Sequence, residues 1–306
     1  MKTMVLRVIT FIMLPVSIFG QDIKICSKIN ENVPIILCTS FAVFGSDTLY
    51  GMNFDFPDVE MKFSIISNNN RIIFHMSFNY GENFYVPVVG MNNEGLFANL
   101  QMLFPQHEEI KQPETNKIIT LSLFSDALNN FENVDGVLDY IKDKRVVHGQ
   151  MTLHNMFADP NGNAAIIEVG NEENLINKIE GKFIVMTNFS ISAFTGKSYK
   201  DVEGSGAGRY KIAYENINLG INNFNVLKAF EILEKVKLNT KEFSTQCSMV
   251  FDPKESIVYF ALKGDFTKVW KLDLATCILN THIGFDIFKK AMLDDDGILA
   301  SELLKK

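Results

Sequence analysis

Short runs of alternating apolar and polar residues dominate the first third of the chain and predict strands. Residues 38–44 and 48–56 flank the turn Gly45-Ser46-Asp47, and this arrangement is typical of a hairpin. Further runs rich in β-branched and aromatic residues predict strands over 62–67, 71–78, 84–91 and 95–103.

Helical spacing of apolar residues begins only after these strands. It predicts helices over 118–129, 134–142, 205–217, 224–237 and within 297–305, with Asn133 as the N-cap of the second. A buried strand is predicted over 182–187, and two further hairpins turn at Asp159-Pro160-Asn161-Gly162 and at Asp252-Pro253-Lys254. Strand blocks separated by helix pairs indicate α+β layers rather than a doubly wound parallel sheet.

The N-terminal residues have the pattern of a secretory signal peptide over 1–20. Lys2 and Arg7 precede an apolar run from Val8 to Phe19, and Gly20 lies at the expected cut. This run is shorter than the ~20 apolar residues of a spanning helix. We therefore expect a secreted or extracytoplasmic protein with no stable membrane span, periplasmic in a bacterium and lysosomal or extracellular in a eukaryote. An uncleaved N-terminal anchor is the alternative.

Residues 21–37 are predicted to be a short pro-segment, because the stretch is too short for a folded element. No Pro/Gly/Ser-rich linker or internal repeat interrupts residues 38–306, which predicts a single domain. The chain has 306 residues, 47% of them hydrophobic, and a formal net charge of −7. That composition supports a large core, and the absence of a basic cluster argues against nucleic acid as the main partner.

Four cysteines in an exported chain allow three disulfide connectivities. The sequence leaves the pairing open. Cys247 and Cys277 are available to pair late in the chain, and Cys26 lies in the segment that we expect to be removed. Cys38 would then be a free thiol, for which a buried and unreactive structural cysteine is the simplest interpretation.

Cys38 gains a second interpretation if the peptide bond after Leu37 is cut. The residue then supplies both a thiol nucleophile and a free α-amine. An α-amine titrates near ~7.7–8.0, against ~10.4 for a lysine, and is a competent base near neutral pH. One residue would therefore hold the minimal apparatus for amide hydrolysis.

The residues around Cys38 resemble the start of the mature chain in the choloylglycine hydrolase and penicillin acyltransferase group of N-terminal-nucleophile hydrolases. The resemblance rests on Cys38-Thr39-Ser40-Phe41, Gly51-Met52-Asn53-Phe54-Asp55, residues 90–96, Thr187-Asn188 and Gly208-Arg209-Tyr210, which follow in the expected order. It implies an α+β fold, a four-layer αββα sandwich of two antiparallel sheets. It also implies hydrolysis of the carbon–nitrogen bond of a linear amide.

The resemblance assigns Cys38 as a nucleophile that is exposed by autocatalytic processing and whose own amine moves the proton. Asp55 is assigned to hold the ammonium and to orient the thiol. The predicted hairpin supports this assignment, since antiparallel pairing returns Asp55 beside Cys38. An aspartate at a strand end that faces solvent is the alternative.

Two later residues complete the set that the resemblance implies. Asn188 matches an asparagine that donates a hydrogen bond to the oxyanion. It also begins the glycosylation sequon Asn188-Phe189-Ser190, which requires exposure, whereas the apolar run 183–186 before it favours burial. Arg209 follows the glycine-rich loop 204–208, where the family has an arginine that holds the nucleophile's surroundings. A phosphate-binding loop is the competing interpretation, but no phosphate-loop pattern is present.

Three further residues bear on substrate and oxyanion binding. Asn99 and Gln101 lie where the family contributes a second oxyanion group, often from the backbone. Met52 occupies a position at which bile-salt hydrolases usually have arginine, so a thiolate stabiliser and a partner for anionic groups are missing. This departure moves the expected substrate away from bile salts and towards another N-acyl amide.

We therefore expect a cysteine-nucleophile hydrolase, or acyltransferase, that forms a thioester on Cys38 with a small N-acyl amide. No cofactor is expected, and no metal, because the histidines and cysteines lack ligand spacing. An exported binding protein that keeps the fold without the chemistry is the alternative, and a papain-like protease would need a recognisable histidine motif. The acyl group, the amine, the balance of hydrolysis and transfer, and the oligomeric state, a homo-oligomer included, stay open.

Overall fold

Two antiparallel sheets face each other in the computed structural model, which describes residues 37–68, 71–105, 115–149 and 151–305. The predicted signal peptide, Cys26 and the predicted pro-segment up to residue 36 lie outside the described residues. The division into signal peptide, pro-segment and mature domain stays a prediction.

The strands and helices are numbered in chain order. The strands are β1 (Thr39–Phe44), β2 (Thr48–Phe56), β3 (Met61–Asn68), β4 (Arg71–Gly81), β5 (Phe84–Asn92), β6 (Phe97–Met102), β7 (Lys117–Ile119), β8 (Arg145–Val147), β9 (Leu153–Ala158), β10 (Ala164–Val169), β11 (Asn174–Lys178), β12 (Phe183–Met186), β13 (Ser244–Asp252), β14 (Ile257–Leu262), β15 (Val269–Asp273), β16 (Ile278–Ile283), β17 (Lys290–Met292) and β18 (Ile298–Leu299). The helices are α1 (Thr120–Asn130), α2 (Val134–Ile141), α3 (Ala207–Gly220), α4 (Val226–Lys235) and α5 (Ala300–Leu304).

Within the described residues each large sheet has eight strands. The first has the order β12-β1-β2-β13-β14-β15-β16-β17, and the second has the order β11-β10-β9-β6-β5-β4-β3-β18. Every neighbouring pair in both sheets is antiparallel. Strands β7 and β8 form a separate parallel pair.

Apolar side chains form one core between the two sheets and a further core between each sheet and the helices that cover it. Between the sheets, stacked aromatic rings such as Phe63 and Phe260 lie 4.5 Å apart. Helices α1 and α2 pack on the outer face of the second sheet, and α3 and α4 pack on the outer face of the first. The predicted four-layer αββα sandwich is therefore confirmed.

The hairpin of β1 and β2 brings the opening motif together. Ser40 pairs with Met52, and the amide nitrogen of Leu37 donates to the carbonyl of Asp55 over 3.1 Å. Gly51 is required in this hairpin, because a β-carbon there would collide with the ring of Phe41. The local pattern thus places Cys38, just before β1, against the end of β2.

Most elements follow the sequence prediction, and two departures are instructive. Asn133 caps α2 as expected, with its side-chain oxygen accepting from the amide of Gly136 over 2.9 Å. Strand β11, which carries polar residues on both faces, and strands β15, β16 and β17 were not predicted. Strands β7, β8 and β18, of two or three residues each, were not predicted either.

The Cys247–Cys277 disulfide that the sequence left open does not form. Cys38, Cys247 and Cys277, the cysteines within the described ranges, are all free thiols. Cys247 lies in the core between the sheets on the central strand β13, whereas Cys277 lies in the turn before β16 at the end of a sheet. In the part of the chain that the structure describes, no helix is long and apolar enough to cross a bilayer.

Candidate active site

Cys38 lies at one end of the sandwich with its side chain in the core between the sheets. Its backbone amide donates to the side-chain oxygen of Asn188 over 3.0 Å. Its carbonyl accepts a hydrogen bond of 2.6 Å from Arg209 Nη1. Both backbone polar groups of Cys38 are therefore held by side chains that the sequence predicted for the site.

Asp55 lies near the end of β2 and is 0% exposed. Its Oδ2 atom is 3.4 Å from Arg209 Nη1, which makes a buried ion pair. Its Oδ1 atom accepts a hydrogen bond of 2.5 Å from the hydroxyl of Thr245, the residue paired with Asp55 on β13. Asp55 therefore does not face solvent, and the alternative of an exposed strand end is wrong.

Arg209 lies in the first turn of α3 and joins the other groups. Its guanidinium donates to Thr39 Oγ1 and to Asn188 Oδ1, each over 2.8 Å, in addition to the contacts with Cys38 and Asp55. The loop before α3 must pass directly over it: Gly206 has φ +80°, and a β-carbon there would lie 2.8 Å from Arg209 Nη2. The glycine at position 206 therefore allows the loop backbone to lie against the guanidinium of Arg209.

Asn188 follows the edge strand β12, which pairs with β1 and so lies beside Cys38. Its side-chain nitrogen donates to the carbonyl of Met102 over 2.8 Å, and its carbonyl accepts from the amide of Phe104 over 2.7 Å. The residue is fully buried. Burial excludes a glycan on Asn188 in this fold and agrees with the site assignment.

Burial dominates the electrostatics of the site. It raises the pKa of the Cys38 thiol to about 12, with a further rise from the charge of Asp55, and a hydrogen bond with the Asp55 backbone and the charge of Arg209 offset part of this. Burial also raises the pKa of Asp55 to about 7, although Arg209 and Thr245 both lower it. Because Cys38 is still joined to Leu37, its nitrogen is an amide and cannot serve as a base.

The three other predicted residues, Met52, Asn99 and Gln101, lie near Cys38 and contact its neighbour Ser40 or one another. The side chains of Asn99 and Gln101 on β6 both contact the hydroxyl of Ser40. Asn99 Nδ2 also lies 3.6 Å from the sulfur of Met52, which faces the core between the sheets. The oxyanion role of Asn99 and Gln101 stays a prediction, as does the influence of Met52 on substrate choice.

Sequence reasoning missed three contributors to the site. Thr245 reaches Asp55 from 190 positions away. The carbonyl of Met102 holds the Asn188 amide, and Thr39 accepts from Arg209. Thr39 belongs to the opening motif, but the motif alone assigned it no contact. Nothing in the sequence marks Thr245 or Met102, because their contacts depend on strand order.

A model of one protein family matches residues 43–265, and its description is acyl-coenzyme A:6-aminopenicillanic acid acyl-transferase. The match spans well over half of the chain. The chain belongs to this family. Membership places it among the N-terminal-nucleophile amide hydrolases and acyltransferases. No curated protein matches the chain in sequence.

Solved structures share the fold of this family member at low sequence identity. A variant of the conjugated bile acid hydrolase from Clostridium perfringens superposes with a TM-score of 0.59 at 15% identity, over 84% of this chain and 98% of that one. A second mutant of the same hydrolase gives 0.56 at 16% identity, over 84% and 97%. The penicillin V acylase from Agrobacterium tumefaciens gives 0.57 at 16% identity, over 85% and 100%. These similarities support the sandwich fold.

Proposed function

We propose that this chain is a cysteine-nucleophile hydrolase of a linear N-acyl amide, active after the bond between Leu37 and Cys38 is cut. One observation carries the proposal. Asp55, Asn188 and Arg209, from three distant parts of the chain, converge by hydrogen bonds and an ion pair on Cys38 and on one another. A structural cysteine would need no such surroundings.

Cleavage of the bond between Leu37 and Cys38 would convert the inactive site into the active one. In the proposed step the Cys38 sulfur bonds to the carbonyl carbon of Leu37, the carbon–nitrogen bond breaks, and the thiol proton passes to the departing nitrogen. Water then cleaves the thioester and leaves a carboxylate on Leu37, a free thiol and a free amine. A cut by another protease gives the same product.

The free amine changes the charge balance around Cys38. As an ammonium it sits beside Asp55 and favours the ionised forms of both the carboxyl and the thiol, since an opposite charge within ~4–6 Å lowers the pKa of an acid. As a free amine it takes the thiol proton. Burial raises the pKa of the unprocessed Cys38 thiol to about 12, so turnover on an external amide depends on the base that the released amine supplies.

Turnover follows the same bond changes on an external amide. The thiolate attacks the amide carbonyl, and we assign Asn188 to donate to the oxyanion, a contribution of typically ~10²–10³ in rate. The tetrahedral intermediate collapses to a thioester on Cys38, and the leaving amine receives the proton from the Cys38 amine. Water then completes hydrolysis, while an incoming amine would complete acyl transfer.

The proposed substrate is an N-acyl amide whose amine part needs no cationic partner at residue 52. Met52 is neutral and buried. An amide whose amine part carries a negatively charged group would therefore lack the cationic partner that an arginine at this position supplies. The same feature favours the second candidate, an exported binding protein that keeps the fold without catalysis.

The test uses the purified chain that begins at Cys38 and a panel of acyl p-nitroanilides with phenoxyacetyl, phenylacetyl and medium-chain acyl groups. Amine release is followed, and acid-quenched samples are analysed by peptide mass. We expect amine release together with an acyl mass on the peptide that begins at Cys38. Cys38→Ala should abolish both. Cys247→Ala, which removes the other fully buried free thiol among the described residues, should retain them.

Two outcomes contradict the proposal. Equal amine release by Cys38→Ala would exclude Cys38 as the nucleophile. Saturable binding of acyl compounds without turnover or an acyl mass, by a chain that begins at Cys38, would favour the binding protein.

A further inference from the structure

A second carboxylate, Glu168 on β10, lies between the sheets with 1% of its surface exposed. Its oxygens accept from the hydroxyl of Ser190 over 2.8 Å, from the amide of Ile191 over 2.8 Å and from the amide of Ser192 over 3.1 Å. The Nδ1 atom of His154 lies 3.3 Å from Glu168 Oε1. Four groups thus surround one buried carboxylate.

These contacts keep Glu168 ionised. Burial raises its pKa, but the hydrogen bond and charge of His154 and the hydrogen bonds from Ser192 and Ser190 outweigh it and hold the pKa at about 2. A buried anion that accepts several hydrogen bonds fixes the donors around it, because each donor that leaves exposes an unpaired charge to the core.

Three of the four groups, those of residues 190–192, belong to the segment that follows Asn188. On the other side of Asn188, the backbone of Met102 and Phe104 provides hydrogen bonds. Asn188 therefore sits between two anchors, and Glu168 is the one that fixes the segment leading away from it. The edge strand before Asn188 has only four residues, so it offers little restraint of its own.

Packing supplies part of the restraint on this segment, and side chains of β11 another part. The ring of Phe189 packs edge-on against Phe194 at 5.4 Å and against Tyr210 at 5.1 Å. Asn177 donates to the hydroxyl of Ser192 over 2.7 Å. Neither contact provides a hydrogen-bond acceptor for the backbone amides of Ile191 and Ser192. Both amides donate to the Glu168 carboxylate.

We propose that Glu168 is a positioning residue, which fixes residues 190–192 and through them the side chain of Asn188 against Cys38 and Arg209. Glu168 touches none of the reacting atoms. Its effect on turnover rests on the proposed function, whereas its effect on the place of Asn188 does not.

A separate hydrolytic triad of Ser190, His154 and Glu168 is excluded by the hydrogen bonds. The serine hydroxyl donates to the carboxylate and not to the imidazole. The remaining ring nitrogen of His154 is buried and has no hydrogen-bond partner among the described residues. A serine nucleophile needs a base within hydrogen-bond reach, and Ser190 has a carboxylate in that place.

The test compares Glu168→Gln with Glu172→Gln, an exposed glutamate in the turn that follows β10. Both variants are made in a Cys38→Ala background. Hydrogen exchange measures the exchange rates of the Ile191 and Ser192 amides. Selective ¹⁵N-asparagine labelling gives the NMR signal of the Asn188 side chain, which is assigned by its loss in Asn188→Ala. For Glu168→Gln we expect at least about tenfold faster exchange at both amides and a shifted or broadened Asn188 side-chain signal. Glu172→Gln should change neither.

The chain with intact Cys38 gives the functional readout. Glu168→Gln should lower kcat by about 10- to 100-fold with KM nearly unchanged, because a displaced oxyanion donor weakens transition-state binding. Ser190→Ala removes one donor without touching the carboxylate and should give a smaller loss in the same direction. It covers the case in which Glu168→Gln fails to fold.

Three results would overturn the inference. The first is unchanged exchange and an unchanged Asn188 signal in Glu168→Gln, or in Ser190→Ala if the first variant does not fold. The second is a loosened segment with an unmoved Asn188 signal. The third is a moved Asn188 with full kcat. An inactive wild-type chain would count against the proposed function alone, because the exchange and the Asn188 signal still decide the positioning role.

Discussion

Asp55 and Glu168 are both carboxylates enclosed by the sandwich, yet their environments act in opposite directions. Asp55 is 0% exposed with a pKa raised to about 7 by burial, and Glu168 is 1% exposed with a pKa held at about 2. Asp55 has the guanidinium of Arg209 and the hydroxyl of Thr245, whereas Glu168 has a hydroxyl, two backbone amides and the imidazole of His154.

The difference shows that burial alone does not fix the charge of a carboxyl. Hydrogen bonds to the ionised form offset desolvation at Glu168 and do not at Asp55. A carboxyl whose pKa lies near neutral pH responds to a new charge beside it, such as the ammonium that processing would release, which suits a reacting site. A group that stays ionised throughout suits a structural anchor. Four predictions test this contrast.

The largest expected effect comes from Arg209→Met, which leaves Asp55 buried without its cation. At pH 8 the free energy of unfolding should fall by about 3–5 kcal/mol, as for other broken buried ion pairs. At pH 5 the loss should be smaller, because Asp55 binds a proton. Urea unfolding in a Cys38→Ala background measures both. The double variant Arg209→Met/Asp55→Asn should lose this pH dependence, and an equal loss at pH 5 and pH 8 in the single variant would contradict the account.

Glu168→Gln should have the next largest effect. It should lower the free energy of unfolding by about 2–3 kcal/mol at pH 7, because it weakens hydrogen bonds to a charged acceptor. The same unfolding experiment measures it. The exposed control Glu172→Gln should stay within about 0.5 kcal/mol of the parent. A Glu168→Gln variant as stable as that control would remove Glu168 as an anchor.

The pH dependence of stability should have opposite signs for the two carboxyls, at no more than about 1.4 kcal/mol per pH unit each. The pKa of Asp55 rises from 3.8 to about 7 on folding, so the folded state binds more protons there and stability falls as pH rises between these values. The pKa of Glu168 falls from 4.5 to about 2, so its contribution is present above 4.5 and is lost as pH falls.

Two difference curves measure these signs. The stability of Asp55→Asn is subtracted from that of the parent between pH 4 and pH 7, and that of Glu168→Gln between pH 3 and pH 5. The first difference should decrease with pH and the second should increase. Two curves with the same sign of slope would remove the contrast between the two sites.

Ser190→Ala should have the smallest effect, about 1 kcal/mol, since it deletes one hydroxyl donor and leaves the two backbone amides on Glu168. Thermal unfolding with the parent as reference measures it. A cost equal to that of Glu168→Gln would mean that the hydroxyl, not the carboxylate with its set of donors, holds the segment.

The contrast also separates what the sequence could predict from what it could not. Cys38 and Asp55 belong to one hairpin whose turn and alternation are local, so their meeting could be predicted. Asn188 and Arg209 were found through resemblance to a family. Glu168 sits in an otherwise apolar strand, and its donors come from a loop that only the fold brings near.

Long-range pairing accounts for the remaining omissions. Thr245 reaches Asp55 only because β13 pairs with β2, and no residue near Thr245 announces that strand order. The strands β15 to β17 lie towards the edge of the first sheet, and β16 and β17 are largely half-buried or exposed, so few buried apolar positions mark them in the sequence.

In the proposed mechanism Cys38 becomes the first residue of a mature chain and acts as the nucleophile. Intact mass and N-terminal sequencing of the protein purified from a secreting host show where that chain begins. We expect a wild-type chain that begins at Cys38. A Cys38→Ala chain that still carries the preceding residues would show in addition that the cut is autocatalytic. A wild-type chain that begins near Gln21, with Cys38 internal, would contradict the account.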